Sequence, residues 1–332
     1  VGLQTSADPV FILEIQGDEL YSNFTKKSYN FNSYDIIKPL LKGAEIKRYS
    51  TPIPNFKIIF PYKIINESIE LISKNEMENN YLDIWNYLNE CKEKLEGREN
   101  GKMKNDIWYG YVYLKNMTEF SKPKILTQVL CKNSSLALDS KGDYYFVGGG
   151  TAGGYGIRVS EELNKYQLLA ILNSKLIYWY IKQFASPFQG GFYVFNKSTL
   201  GEVPLPKINK LNFEKIVLYI NEIGDKYNSF SIKFTTYFTS QYHLEKISGK
   251  LEKWYELSFV DFIKELNKAI KTAKGTPLTK KDEFEWMELF EDNKKNALAL
   301  KAEIAKTDKE IDQMVYELYG LTEEEIKIVE GE

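Results

Sequence analysis

Histidine and cysteine are scarce in this sequence of 332 residues, which has one histidine, His243, and two cysteines, Cys91 and Cys131. Zinc sites made of several histidines or of four cysteines cannot be built from these side chains. A Ser-His-Asp triad could only use His243. A disulfide framework is not expected from two cysteines, so we predict a reducing, cytoplasmic setting.

Long apolar runs are also missing. The most apolar stretch, residues 168–181, is interrupted by Asn173 and Lys175, whereas a membrane-spanning helix needs about 20 largely apolar residues. We therefore predict a buried helix here and no membrane partner. The chain begins Val1-Gly2-Leu3, without an initiator methionine or a signal-peptide pattern, and we interpret it as a piece of a longer protein.

A general excess of positive charge is absent, because 44 Lys and Arg against 46 Asp and Glu give a net charge of −2. This excludes a uniformly basic nucleic-acid-binding coat but not a local basic face. Residues 38–63 hold six Lys or Arg and one Glu. A second basic cluster comprises Lys115, Lys122, Lys124, Lys132 and Lys141. Each cluster is either a solvated face or a nucleic-acid-binding face.

The sequence pattern changes near Val203-Pro204-Leu205-Pro206, where two prolines disfavour helix and strand interiors. Before this point we expect helices over residues 32–42, 81–95 and 160–184, the last capped by Ser160. We expect strands over residues 10–13, 57–60, 124–130, 136–138 and 144–147, with a turn at Lys141-Gly142. After residue 206 the pattern predicts helices alone.

The C-terminal part shows a heptad pattern, with apolar residues at Phe290, Ala297, Ile304, Ile311 and Leu318. Such a stripe predicts one long, coiled-coil-like helix. Residues 251–270 and 284–318 are expected to pack as an antiparallel helical hairpin. The predicted fold class is α+β, with a mixed-sheet domain over residues 1–206 and an all-helical domain over residues 207–332.

Asp35, Glu45 and Lys47 match the skeleton of a metal-dependent nuclease, in which two carboxylates hold Mg²⁺ and a lysine steadies the phosphate. Such spacings also arise by chance in a chain with 27% charged residues. The predicted helix moreover places Asp35 away from a strand end. We expect no metal site, and Mg²⁺-dependent cleavage stands as an alternative.

The most unusual local sequence is Gly148-Gly149-Gly150-Thr151-Ala152-Gly153-Gly154-Tyr155-Gly156. Glycines let backbone N–H groups approach a phosphate closely. The run fits neither the dinucleotide-binding nor the P-loop pattern. It is either a turn between strands or a loop that orders on a nucleic-acid backbone, with Arg158 nearby.

Six sequence blocks follow one another along most of the chain. They are Gly2-Leu3-Gln4-Thr5-Ser6-Ala7-Asp8-Pro9-Val10-Phe11, Ile37-Lys38-Pro39-Leu40-Leu41-Lys42-Gly43-Ala44-Glu45-Ile46-Lys47-Arg48-Tyr49, Pro123-Lys124-Ile125-Leu126, Leu169-Ala170-Ile171-Leu172-Asn173-Ser174-Lys175-Leu176, Val203-Pro204-Leu205-Pro206, and a tail from Thr307-Asp308-Lys309 to Tyr319-Gly320-Leu321. Their order resembles the TaqI-like C-terminal specificity domain and tail of adenine-specific DNA methyltransferases and type IIG restriction–modification enzymes.

The resemblance implies a target recognition domain that binds double-stranded DNA beside a methyltransferase domain. A second domain that clamps the duplex suits an enzyme that must flip its target base. The chain lacks the Asn-Pro-Pro-Tyr and glycine-rich strand–helix motifs of the methyltransferase. We expect this piece to bind DNA, hold no cofactor and catalyse nothing, while the parent protein binds S-adenosylmethionine, and Mg²⁺ if it is also a nuclease.

Twelve residues are candidates for DNA contact on this hypothesis. Lys42, Lys47, Arg48 and Lys132 would contact phosphates, Asn133, Ser134, Ser135 and Gln189 would read base edges, Tyr49, Tyr155 and Phe188 would make aromatic contacts, and Arg158 would contact the backbone. The alternative is a protein-interaction scaffold or spacer, whose heptad helix docks onto a partner or onto the methyltransferase domain.

Overall fold

The computed structural model describes residues 2–148, 153–160, 163–206 and 212–331. The chain divides into two compact units, of which the first is Val1–Phe213 with Val315–Glu332 and the second is Glu214–Met314. The boundary predicted after residue 206 stays a prediction.

The strands lie in the first unit. They are β1 (Ile12–Gln16), β2 (Glu19–Ser22), β3 (Lys27–Tyr29), β4 (Ile37–Leu41), β5 (Phe56–Ile59), β6 (Tyr62–Ile65), β7 (Ser68–Leu71), β8 (Lys124–Gln128), β9 (Leu130–Cys131), β10 (Leu136–Asp139), β11 (Tyr145–Phe146), β12 (Gly154–Ile157), β13 (Pro187–Phe188) and β14 (Phe192–Val194).

Helices occur in both units. They are α1 (Asp8–Phe11), α2 (Lys74–Asn80), α3 (Leu82–Glu90), α4 (Lys92–Glu96), α5 (Arg98–Gly101), α6 (Lys165–Asn173), α7 (Lys175–Lys182), α8 (Lys197–Leu200), α9 (Glu214–Gln241), α10 (Gly249–Glu252), α11 (Phe259–Thr272), α12 (Lys280–Tyr319) and α13 (Glu323–Glu330), with short 3-10 turns at Gly43–Glu45, Met117–Glu119 and Trp254–Glu256. Within the described residues, no helix combines the length and apolarity that crossing a membrane requires.

The largest sheet has the strand order β11-β4-β5-β1-β2-β3. β11 runs parallel to β4, whereas β4, β5, β1, β2 and β3 pair antiparallel in turn. The sheet is therefore mixed, and with the many helices it confirms the predicted α+β class. Helix α3 buries Ile84, Trp85 and Leu88 in the core that this sheet shares.

Two smaller sheets carry the segments that the sequence analysis singled out. β8 lies between β10 and β12, and β14 lies between β13 and β9, all antiparallel. β8 and β9 follow each other directly in the chain, so the two sheets share one continuous segment. The predicted turn at Lys141-Gly142 is confirmed, and Gly142 has a φ of +79°.

The helix predicted over residues 32–42 is wrong, since turns there lead into strand β4. Pro39 gives the reason, because a proline inside a helix removes a hydrogen bond and clashes with the preceding turn. In the sheet, Pro39 lies opposite Lys57 of β5, and β11 pairs with β4 only from Leu40 onward. No described strand therefore needs an N–H group from Pro39 on that side.

The helix predicted over residues 160–184 is two helices, α6 and α7. The side chain of Asn164, not of Ser160, accepts the first N–H groups of α6. Ser174 adopts an extended backbone conformation and caps α7 by accepting the N–H of Ile177. The remaining predicted strands are confirmed apart from their ends, although Val10 and Phe11 belong to helix α1.

The second unit is held by aromatic packing between its helices. Phe262 of α11 stacks on Phe290 of α12 with 4.6 Å between ring centroids. Phe234 of α9 contacts Trp254 at 4.3 Å. Phe290 and Ala297 of the heptad stripe are fully buried in this core, so at these positions the stripe packs inside the chain.

The chain's last residues pack within the first unit. Glu330 of α13 pairs with Lys175 of α7 and accepts a hydrogen bond of 2.7 Å from the Tyr316 hydroxyl. The Tyr319 hydroxyl donates to the carbonyl of Pro204 at 2.7 Å. These contacts fix the end of the long helix against residues that precede the second unit in sequence.

Candidate nucleic-acid interface

Three segments of the first unit converge and are named here the loop cluster: the turn at residues 46–50, the loop at residues 132–135 and the hairpin at residues 187–193. The carbonyl oxygen of Ile46 accepts hydrogen bonds from Gln128 Nε2 at 2.7 Å and Ser135 Oγ at 3.4 Å. The backbone N–H of Tyr49 donates to the carbonyl of Leu136 at 3.4 Å. These bonds join the turn to the loop.

The side chain of Asn173 anchors the loop at residues 132–135 through the residue that follows it, Leu136. Its Oδ1 accepts the N–H of Leu136 at 2.9 Å, and its Nδ2 donates to the carbonyl of Leu136 at 3.0 Å. The side chain thus bonds both backbone groups of one residue, as a neighbouring strand would. Asn173 is fully buried at the end of α6, so the loop's position depends on this amide.

The hairpin joins the loop through the sheet. Tyr193 of β14 pairs with Cys131 of β9, directly before Lys132. The hydroxyl of Tyr178, on α7, donates to the carbonyl of Lys132. Burial raises the pKa of Tyr178, so this hydroxyl keeps its proton and remains a donor at neutral pH.

Acidic residues are missing from the three segments and from long stretches of sequence that contain them. Residues 46–66, 120–138 and 163–201 contain no Asp or Glu. Lys47, Lys132 and Lys182 are exposed within these intervals. A surface with cations and no carboxylates attracts a polyanion, and its field is weakened by salt.

Five of the predicted contact residues are exposed on the segments of the loop cluster. These are Lys47, Lys132, Asn133, Phe188 and Gln189. Arg48 and Ser135 belong to the same cluster but are half-buried. The guanidinium carbon of Arg48 lies 5.3 Å from the centre of the Tyr49 ring.

Burial corrects two predicted contacts. Tyr49 is 2% exposed and Ser134 is 1% exposed, so neither side chain can reach a base in this conformation. The Tyr49 side chain is buried beneath the Arg48 guanidinium, and its φ of +47° produces the sharp change of direction in the turn. Both residues support the loop cluster from inside.

Three predicted residues have other surroundings. Lys42 is half-buried, with its Nζ 3.4 Å from the centre of the Phe56 ring. Tyr155 is half-buried on β12, opposite Thr127. Arg158 pairs with Glu119 at 2.9 Å. Arg158 follows the end of β12 that pairs with Ile125, whereas Gly154 at the other end pairs with Gln128 beside the loop cluster.

The glycine-rich run is only partly described. Residues 149–152 lie outside the described residues, so the prediction of a phosphate-binding loop there stays a prediction. Gly154 and Gly156 belong to β12. A Cβ on Gly154 would lie 3.2 Å from Cδ1 of Ile46, so the absence of a side chain lets β12 pack closely beneath the turn.

The second basic cluster predicted from the sequence is not one face. Lys124 is buried and pairs with Asp139 at 2.6 Å, while Lys122 pairs with Glu67 and Glu119 at 3.1 and 3.2 Å. Burial lowers the pKa of Lys124, and Asp139 acts in the opposite direction. Lys132 is the member of this cluster that belongs to the loop cluster.

The two carboxylates of the predicted nuclease motif, Asp35 and Glu45, lie at opposite ends of a strand. Asp35 precedes β4 and Glu45 follows it, and a five-residue strand is roughly 16 Å long. The Asp35 carboxylate accepts a hydrogen bond from Tyr81 at 2.9 Å. Glu45 accepts the N–H of Lys42 at 2.5 Å and Asn55 Nδ2 at 3.1 Å. Among the described residues, no group of three His, Cys, Asp or Glu side chains could hold a metal ion.

The scarce reactive side chains are not poised as nucleophiles. Burial raises the pKa of both Cys91 and Cys131 to about 11, which keeps the thiols protonated near neutral pH. His243 is exposed in the turn that ends α9, with a φ of +50°.

Comparisons with known proteins match both parts of the chain. Residues 38–205 match the TaqI-like C-terminal specificity domain, and residues 206–315 match a domain of unknown function (DUF8810). A curated relative, the type II restriction enzyme and methyltransferase RM.Eco57I of Escherichia coli, is 24% identical over 225 residues. The match covers 63% of this chain and 22% of that protein, so the chain spans about a fifth of the relative's length. The match to residues 38–205 covers half of the chain, which therefore belongs to the family of TaqI-like C-terminal specificity domains.

Proposed function

We propose that this chain recognises double-stranded DNA as the specificity part of a restriction–modification adenine methyltransferase, and that the loop cluster faces the DNA. The observation that carries the proposal is that three carboxylate-free segments are joined to one another by hydrogen bonds and strand pairing, with Lys47 and Lys132 exposed on two of them. Family membership supports it, since the specificity domain is the part of such enzymes expected to select a sequence.

The contact residues divide by chemistry. Lys47 and Lys132 are flexible cations suited to phosphates, which fix the position of a protein on the duplex. Asn133 and Gln189 carry amides, which can donate to and accept from base edges in the major groove. Ser135, which is half-buried, joins the loop to the turn behind these side chains, and the half-buried Arg48 lies over the Tyr49 ring.

The enzymatic activities belong to the proposed parent protein. The relative's name describes a restriction enzyme and methyltransferase, and we extend this to the parent of this chain. S-adenosylmethionine would bind a methyltransferase domain, and Mg²⁺ a nuclease if the parent has one. No residue of this chain is assigned to either, because the glycine-rich strand–helix motif and the metal-binding cluster that they need are not found among the described residues.

The scaffold alternative draws less support from the packing. Phe290, Ala297 and Ile311 of the heptad stripe are fully buried within the chain itself, so a partner could use them only after displacing other helices. A docking role for the remaining helical surface stays a prediction.

Replacing Lys47 and Lys132 together by alanine should weaken binding to every duplex. Each lysine that contacts a phosphate contributes about 0.9 to the slope of log affinity against log salt concentration, so the slope should fall by about two. The measurement is fluorescence anisotropy with a random-sequence duplex at several salt concentrations. Lys27→Ala is the control, because Lys27 is exposed on β3 and pairs with Glu90 at 2.6 Å.

Sequence selection by the same chain tests specificity. A random duplex pool is bound, recovered and sequenced through several rounds, and one enriched motif is expected. Asn133→Ala and Gln189→Ala should each relax preference at one position by about 5- to 150-fold, without changing the salt slope. An unmutated chain that binds no duplex, or binds with no salt dependence, contradicts the proposed function.

A further inference from the structure

The hairpin of the loop cluster ends in a narrow tip. Pro187 pairs with Tyr193 and Phe188 pairs with Phe192, which leaves Gln189, Gly190 and Gly191 as the connecting loop. Gly190 and Gly191 have φ values of +83° and +79°, a conformation that glycine adopts without strain. A Cβ at Gly191 would meet nothing within 4 Å, so the tip projects into open space.

The two faces of the hairpin have different surroundings. Tyr193 and Phe195 of the β14 segment contact the Tyr178 ring of α7, with centroids 6.1 and 6.3 Å apart. Successive residues of a strand point to opposite faces, so Phe192 points away from α7. Phe188 is the cross-strand partner of Phe192 and shares that outer face.

Phe188 is the exposed apolar side chain of this outer face. It is 49% exposed, although burying an aromatic ring is strongly favourable in water. The strand that pairs with Phe188 is held in place, because Phe192 is half-buried beside Gly190 and the Tyr178 contacts hold β14 on α7. The result is a rigid support that presents one aromatic ring next to a thin glycine tip.

The charged residues in the segments next to Phe188 indicate the chemistry of the partner that its ring contacts. Residues 163–201 contain no Asp or Glu. The exposed Lys182 lies with its Nζ 5.2 Å from the centre of the Tyr178 ring, and Lys132 follows the strand that pairs with β14. An exposed apolar ring on a hairpin whose neighbouring segments carry exposed lysines and no carboxylates fits a partner with a negatively charged outside and an apolar, stacked inside, which describes duplex DNA.

We propose that Phe188 is a wedge that enters the base stack of the bound duplex and opens one base step. The inference rests on the proposed duplex binding. An inserted apolar side chain unstacks and kinks DNA, and the bent duplex then contacts more of the protein surface. The lysines contact phosphates on either side of the opened step, and the glycine tip lets the backbone approach the groove floor.

The test uses the full chain and the duplex selected from the random pool, with 2-aminopurine placed at each position in turn. Binding of the unmutated chain should raise 2-aminopurine emission several-fold at one step, because the base analogue is quenched when stacked. Phe188→Ala should abolish the rise and weaken binding about tenfold, whereas Phe188→Trp should retain both. Phe24→Ala is the control, since Phe24 is 39% exposed in the turn after β2.

The outcomes separate the wedge from duplex binding itself. If the unmutated chain binds but no position gains emission, or if Phe188→Ala keeps the gain, the wedge is refuted and the proposed function stands. If the unmutated chain binds no duplex, the proposed function fails and the wedge fails with it. Because Phe188 is half exposed, all variants should fold, which circular dichroism checks.

Discussion

Replacing Asp139 by alanine is expected to lower the free energy of unfolding of the first unit by about 3–5 kcal/mol, since it leaves a buried charge without its partner. The Asp139 carboxylate accepts Lys124 Nζ at 2.6 Å and the N–H groups of Gly142, Asp143 and Tyr144 at 2.8, 3.0 and 3.1 Å. Both charged side chains are almost completely buried, at 4% and 1% exposed. Removing the carboxylate leaves Lys124 and three backbone donors without this acceptor.

The measurement is urea denaturation combined with hydrogen exchange of peptides from β8 and β10, which reports the first unit separately from the second. Glu90→Ala is the matched control, because the Lys27–Glu90 pair is 59% and 43% exposed and such pairs contribute about 0–1 kcal/mol. Lys124→Met should cost less than Asp139→Ala, because the carboxylate keeps its backbone donors. A loss below about 1 kcal/mol for Asp139→Ala would contradict a stabilising role for the buried pair.

Asn173→Asp is expected to destabilise the first unit at pH 7 by about 3–5 kcal/mol and to weaken DNA binding, since it buries a carboxylate with no cation. The change preserves side-chain shape but turns the Nδ2 donor into an oxygen facing the carbonyl of Leu136. The loop at residues 132–135 then loses its anchor. Urea denaturation and anisotropy on the selected duplex measure the two effects.

Acidic pH should partly rescue this variant. Once protonated, the introduced carboxyl group can donate to the Leu136 carbonyl and accept its N–H, as the amide does. The folded-state pKa of that carboxyl group is therefore raised above its unfolded value, and stability increases as pH falls toward 5. The unmutated chain is the control at each pH. Equal destabilisation at pH 5 and pH 7 would mean that packing, and not the hydrogen-bonded anchor, is lost.

The fold was predictable where local signals agreed. β5, β8 and β10 have runs of apolar, strand-forming residues, and Lys141-Gly142 supplies the turn that follows β10. The helix prediction over residues 32–42 is wrong because the apolar spacing there fits a helix as well as a strand. The residues concerned are Ile36, Ile37, Leu40 and Leu41. Pro39 was the signal against the helix, and pairing with β5, a contact remote in sequence, decided the outcome.

The candidate site was less predictable because exposure depends on tertiary contacts. Lys47, Lys132 and Gln189 are exposed, as residue type suggests, but Tyr49 and Ser134 are buried beneath the loops that carry them. Arg158 pairs with Glu119, which lies 39 residues away in sequence. In the sequence Asn173 is only an interruption of an apolar run, and its bonds to Leu136 depend on tertiary structure.

The loop cluster is anchored through groups that do not depend on the side chains at its surface. The carbonyls of Ile46, Lys132 and Leu136 accept the anchoring bonds, and a carbonyl is present whatever residue occupies the position. The donors Gln128, Asn173 and Tyr178 lie outside the loops, and the further donor Ser135 is half-buried within its loop. Substitutions at Lys132, Asn133, Phe188 and Gln189 can therefore accumulate without loosening the framework. On the proposed function, a few such exchanges would change the DNA that the domain selects, and the same positions are where a new specificity could be engineered.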